Sequence, residues 1–189
     1  MSESLTVLID MDNVVADFDS EVLKRIGEQY PHIPLVSTRP NFYIADDYPA
    51  HRSLVRGILN QPGFFDSLPI VEGAPEGLER IIDLGYEPRI CTSPIDTNQS
   101  SVAEKLEWLS RNFVPIFGTR IVEQAIITKD KYLFEGRALI DDCPEINRAD
   151  EAIWAHIIFN RPYNQRAAGL RLNGWLDEML PEILEMVKL

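Results

Sequence analysis

The chain has 189 residues, 45% hydrophobic and 25% charged, and its 30 acidic against 18 basic side chains give a formal net charge of −12. That balance excludes a scaffold for a nucleic-acid polymer, whose phosphates need clustered cations; nowhere do more than two basic residues stand together. The composition is that of a globular chain with one sizeable core. No apolar run nears the roughly 18 residues of a membrane span, residues 1–8 lack the pattern of a targeting segment, and two cysteines suit a reducing compartment, so a cytoplasmic protein is expected.

In chain order, the apolar run Leu5–Ile9 predicts a strand buried on both faces that stops at Asp10-Met11-Asp12. Val22, Ile26 and Tyr30 at helical spacing, with Pro31 as a stop, predict a helix from Asp17 to Tyr30. Between Pro31 and Pro75 the pattern loosens, with prolines at 31, 34, 40, 49, 62 and 69 and the aromatics Phe42, Tyr43, Tyr48, Phe64 and Phe65 between them, which predicts an inserted subdomain. A helix then opens at Pro75, carries Leu78, Ile81 and Ile82, and closes at Gly85. Pro88–Cys91 reads as a strand leading into Thr92-Ser93-Pro94, and Val102, Leu106, Leu109 and Phe113 mark an amphipathic helix from about Asn98 to Phe113. Ile121–Ile127, Ala138–Ile140 and Ile153–Phe159 predict three more strands, the middle one ending in Asp141-Asp142, and Leu176, Leu180, Ile183 and Val187 predict a closing helix broken by Pro181.

Strands alternating with helices predict an α/β fold: a Rossmann-like parallel sheet with helices on both faces, ligands gathering at the carboxyl ends of the strands. Three strand ends carry chemistry: Asp10 and Asp12, Thr92 and Ser93, and Asp141 and Asp142. In a parallel sheet these ends share one edge, so four carboxylates converge. Two unit charges 4 Å apart repel by about 4 kcal/mol at an effective dielectric of about 20, which requires a cation, and oxygen donors without a Cys or His cluster select Mg²⁺. A carboxylate attacking a phosphate monoester meets repulsion of the same order, which Mg²⁺ and an ammonium must offset; Lys131 is the natural ammonium and Lys129 its competitor. Each piece has an ordinary structural use, Asp-x-Asp as a helix cap and Thr-Ser-Pro as a turn, so the signal lies in their conjunction. The three histidines show no ligand spacing. With the first strand between those bearing Cys91 and Cys143, the two thiols stand beyond disulfide reach.

Taken together, the string from Asp10 to Phe18, Ile90-Cys91-Thr92-Ser93-Pro94-Ile95, Lys131 and Leu139-Ile140-Asp141-Asp142 resemble the haloacid-dehalogenase (HAD) superfamily of phosphatases. With Asn41-Phe42-Tyr43-Ile44 added, the likeness narrows to the 5'(3')-deoxyribonucleotidases and runs from Val7 to about Trp175. That resemblance implies a Mg²⁺-dependent hydrolase of deoxynucleoside monophosphates, with Asp10 as nucleophile and Asp12 as general acid and base. It implies phosphate binding by Thr92, Ser93 and Lys131, and Mg²⁺ held by the Asp10 carboxylate, the Asp12 carbonyl and Asp142, with Asp141 behind. It also implies a HAD-like core of residues 1–17 and 74–189 and a small, mainly helical cap, 18–73, whose Phe18, Phe42, Tyr43 and Ile44 meet the base. The cap's own core is the competing use for these aromatics. Three positions depart from the family's common residues: Asn13 for Gly, Tyr43 for Trp, and Cys143 for an Arg after the paired acids. A receiver-type signalling domain shares the acids, Thr and Lys in another chain order, and a phosphatase of small metabolites shares the whole set. Monomer and homodimer both stay open.

Overall fold

A computed structural model describes residues 5–187. Its sheet has six strands, β1 (Thr6–Ile9), β2 (Glu87–Thr92), β3 (Ile126–Ile127), β4 (Ala138–Asp141), β5 (Ala155–Phe159) and β6 (Leu170–Leu172), in the order β3-β2-β1-β4-β5-β6. All neighbours pair in parallel. Among the described residues seven α-helices accompany it: α1 (Phe18–Gln29), α2 (Arg52–Leu59), α3 (Ala74–Asp83), α4 (Ser101–Asn112), α5 (Val114–Phe117), α6 (Arg120–Glu123) and α7 (Leu180–Met186). The sheet is the parallel α/β fold that the alternating pattern predicts. Alternation along β1 sorts the apolar surface: Val7 and Ile9 face a large cluster with Ile90, Ile140, Trp108 and Phe113, while Leu8 faces a smaller one with Cys91, Leu139 and Trp154.

The termini of α1 follow the sequence closely. The Asp17 side chain accepts the Ser20 amide at 3.2 Å, an N-cap, and Val22 and Ile26 are buried. Gly85 closes α3 at φ +85°, where a residue with a Cβ is strained. Other elements differ from expectation. Only Ile126–Ile127 of the predicted strand Ile121–Ile127 pairs with β2; the polar Glu123-Gln124 step instead closes the short α6, with the Gln124 amide on the Arg120 carbonyl at 3.0 Å. β6 was too short, and too interrupted by Arg171, to register as apolar alternation. Pro181 lies in the first turn of α7 rather than breaking a longer helix, because a helix has no use there for the missing amide hydrogen.

The loop after β1 is pinned from three directions. Val71 donates to the Val15 carbonyl at 2.9 Å, Asp17 donates to the Pro69 carbonyl at 2.7 Å, and the Trp175 indole donates to the Val14 carbonyl at 2.7 Å across 161 residues of chain. Trp175 lies flush on α3: a Cβ added at Gly77 would stand 2.2 Å from its ring. No helix among the described residues is long and apolar enough to cross a membrane.

Candidate active site

β1 lies between β2 and β4, with Ile9 in register with both Ile90 and Ile140. The polar residues that end these strands therefore emerge side by side, and the Asp10 amide still donates to the Ile140 carbonyl at 2.9 Å. Lys131, in the 3₁₀ turn Lys131–Leu133, extends its ammonium between two of them, 2.6 Å from Asp10 Oδ1 and 2.6 Å from Asp141 Oδ2. Lys129 points elsewhere and pairs with Asp96 at the exposed surface. Asp10, Asp141 and Asp142 each present an oxygen within 4.8 Å of the others, all three being buried.

The electrostatics follow from burial. Desolvation pushes the Asp10 carboxyl up to about 6; Asp141 and Asp12 add to the rise, while Lys131 and Lys105 oppose it. Desolvation also raises Asp142 well above the carboxylate range, aided by Asp141 and Asp10 and opposed by the Tyr163 hydroxyl. Burial works against the Lys131 ammonium, yet the Asp10 and Asp141 carboxylates outweigh it and hold Lys131 above its ordinary value. One ammonium thus answers three carboxylates. Negative charge is in excess, the donors are hard oxygens, and neither Cys nor His joins them, so the group fits a divalent cation of the Mg²⁺ type.

Asp12 has a cation of its own. Lys105, fully buried on α4, places its ammonium 2.8 Å from Asp12 Oδ2, 2.9 Å from Thr92 Oγ1 and 2.8 Å from the Ser93 carbonyl. Asp12 Oδ1 is buried without a hydrogen-bond partner among the described residues. Of the predicted apolar stripe, Leu109 and Phe113 are buried but Val102 is exposed; the inward face also takes in Ser101, Lys105 and Trp108, so Lys105 escapes a reading that follows apolar residues alone. Those three at i, i+4 and i+7 were the available signal.

Thr92 is buried at the end of β2, and the Ser93 hydroxyl donates to the Thr128 carbonyl at 3.1 Å. The aromatics form two separate groups. Phe18 packs edge-on to Phe64 at 5.3 Å and lies near Phe65, whereas Phe42 packs edge-on to Tyr43 at 5.1 Å and to Tyr163 at 5.6 Å. Tyr43 is 69% exposed, and Ile44 is buried in the main core. Cys91 and Cys143 are both free thiols, pushed up to about 12 by burial and so poor nucleophiles.

Comparison with known proteins shows which family the chain is similar to. Residues 3–186 match the family model described as 5' nucleotidase, deoxy (pyrimidine), cytosolic type C protein. The human cytosolic-type 5'(3')-deoxyribonucleotidase is 33% identical, over 94% of this chain and 92% of its own. A Bordetella bronchiseptica protein provisionally named a 5'(3')-deoxyribonucleotidase is 38% identical, over 85% of this chain and 86% of its own. Among solved structures, a HAD-superfamily hydrolase of Ehrlichia chaffeensis aligns over 100% of both chains with a TM-score of 0.51 at 13% identity. A Bacillus subtilis protein, provisionally a HAD hydrolase and solved bound to magnesium, aligns over 99% of this chain and 100% of its own with a TM-score of 0.56 at 13% identity. At such identity the structural likeness speaks for the fold alone.

Proposed function

Because the chain belongs to the 5' nucleotidase, deoxy (pyrimidine), cytosolic type C family, we propose that it hydrolyses deoxynucleoside monophosphates to nucleoside and phosphate through an aspartyl-phosphate on Asp10. The observation that carries this reading is the Lys131 ammonium held 2.6 Å from both Asp10 and Asp141 beside a third buried carboxylate, Asp142. That is a centre arranged to take a dianion and a dication together. A cytoplasmic location belongs to the same reading.

In this mechanism Lys131 and Thr92 take the phosphoryl oxygens, with Ser93 beside them. An Asp10 carboxylate oxygen attacks phosphorus as the bond to the ester oxygen breaks. Asp12, with Oδ2 held by Lys105 and Oδ1 free, gives its proton to the leaving oxygen and then takes one from the water that cleaves the acyl phosphate. Mg²⁺, held by the Asp10 and Asp142 carboxylates and the Asp12 carbonyl with Asp141 behind them, would neutralise charge between enzyme and phosphoryl group. Residues 18–73 act as the cap, where the base stacks on Phe42 and Tyr43, with Phe18 at the side and Ile44 as a buttress.

The test is a panel of phosphomonoesters assayed with Mg²⁺ and after EDTA treatment, repeated on Phe42→Ala. Loss of one stacking platform costs about 1–3 kcal/mol, or roughly 5- to 150-fold, in kcat/KM for a deoxynucleotide. Turnover of p-nitrophenyl phosphate, which has no base, should be unchanged. Equal loss of both activities in a variant that melts like wild type, or a wild-type preference for sugar phosphates, would discard the nucleotidase reading and retain the phosphatase one. Full activity in EDTA would discard the metal.

A further inference from the structure

Tyr163, in the 3₁₀ turn Pro162–Asn164 that follows β5, has no role in the chemistry above, yet it touches both parts of the site. Its hydroxyl donates to Asp142 Oδ2 and accepts from Asn13 Nδ2 at 2.9 Å. The sense of this chain is fixed by a group that can only donate. The Asp19 amide gives its hydrogen to Asn13 Oδ1 at 3.0 Å, so the other end of the Asn13 side chain is the NH₂. That NH₂ also reaches Asp19 Oδ1 at 3.0 Å, leaving Tyr163 to direct its single hydrogen at Asp142. Asn13 does this from the left-handed region, at φ +58°, and its carbonyl is held by Arg161 Nε at 2.7 Å.

The ring of Tyr163 faces the other way. Phe42 meets it edge-on at 5.6 Å, and the Arg39 guanidinium lies over it at 4.9 Å. Arg39 is itself buried, ion-paired with Asp19 and, at 2.8 Å, with Asp47, and it donates to the Phe42 carbonyl at 2.8 Å. A single side chain therefore holds a carboxylate of the acidic cluster at its hydroxyl end and the segment bearing Phe42 at its ring end.

We propose that Tyr163, set by Asn13, is a positioning residue that fixes the Asp142 carboxylate for the metal and seats the base-binding segment through its ring. The proposal rests on the reading of Asp142 as a metal ligand. A carboxylate with one oxygen bound to a phenol cannot rotate freely, and its remaining lone pairs keep one direction; partners of this kind are typically worth about 10- to 100-fold in metal affinity or activity.

Substitution at this one position separates the two ends. Tyr163→Phe removes the hydroxyl and keeps the ring. Its Mg²⁺ affinity, titrated by calorimetry in the absence of substrate, should fall about 10- to 100-fold, with KM for a deoxynucleotide at saturating Mg²⁺ unchanged. Tyr163→Leu removes both ends and should add a rise in that KM, without one for p-nitrophenyl phosphate. Asn13→Gly, whose backbone accepts the left-handed conformation, should weaken Mg²⁺ in the same direction by less, and it serves if neither Tyr163 variant folds. Wild-type Mg²⁺ affinity in folded Tyr163→Phe, or in Asn13→Gly alone should that be the variant that folds, overturns the proposal and spares the metal site. A nucleotide KM raised as much by Phe as by Leu overturns the division between hydroxyl and ring. Wild-type protein that binds no Mg²⁺ overturns the metal reading itself, and the role of Tyr163 with it.

Discussion

The strand-end floor of the site and the segment above it, residues 31–73, are held together by opposite means. In the floor the backbone positions the functional groups: parallel pairing fixes where β1, β2 and β4 end, and the ammonium groups of Lys131 and Lys105 reach in from neighbouring elements to balance the charge. In the segment above, charged side chains position the backbone. Arg25 on α1 donates to Glu21, to the Gln61 side chain, to the Gly63 carbonyl and to the Ser67 hydroxyl. Glu104 on α4 accepts the Gly63 amide at 2.7 Å and the Phe65 amide at 3.0 Å. The difference concerns tolerance. Sheet ends move only with the sheet, whereas loops tied by a few charged arms shift when one arm is cut, so the floor suits bond-breaking and the upper segment suits substrate choice.

The largest effects should come from the floor. Asp10→Asn should bring turnover to background, whereas Asp12→Asn, which leaves attack possible, should lower it by about 10²- to 10⁴-fold and let a phosphorylated Asp10 accumulate, visible by mass spectrometry. A label on Asp142 in that experiment would reverse the assignment of nucleophile.

Lys105→Met sharpens the contrast from the stability side. It strands the Asp12 carboxylate and the Ser93 carbonyl, and the cost should stay below the roughly 3–5 kcal/mol of a fully buried broken pair because the Asp12 side chain is 24% exposed. About 2–3 kcal/mol in urea melts is expected; a neutral outcome would show that Asp12 does not depend on its partner.

The smallest effect belongs to the upper segment. Burial opposes ionisation of Glu104, but the Ser100 hydroxyl and the Gly63 and Phe65 amides outweigh it and hold the carboxyl below its ordinary value of 4.5. A depressed carboxyl contributes stability above that ordinary value and loses it as the pH falls through the folded one. Glu104→Gln should therefore melt below wild type at pH 7, by about 1 kcal/mol, and the gap should close as the pH drops below 4.5. A gap that persists in acid would mean that shape rather than charge holds the loop.

The same contrast explains what the sequence disclosed. The three strand ends were legible because each is an abrupt change from apolar to polar within two or three residues, and Lys131 because an acidic convergence demands an ammonium nearby. Lys105 was hidden in a helix whose apolar residues outvoted it, although the buried face is Ser101, Lys105, Trp108 and Leu109. Tyr163 and Asn13 stand 150 residues apart, and no periodicity links them. The upper segment is organised by pairings such as Arg39 with Asp19 and Glu104 with the Gly63 amide, which a local pattern does not encode.

The central place of β1 also bears on how the protein is made. The strand that leads to Asp10 is made before the groups it needs: its amide ladder needs β4, the ammonium partner of Asp10 lies 121 residues on, and the indole that closes the loop lies 161 residues beyond Val14. Such non-local closure is slow and comes late. A nascent chain halted before Lys131 holds the Asp-x-Asp string without Lys131, Asp141 and Asp142, so on the proposed mechanism hydrolytic capacity arises only once translation has passed β4. The topology thereby keeps Asp10 apart from Lys131 and Asp142 until the C-terminal strands are made.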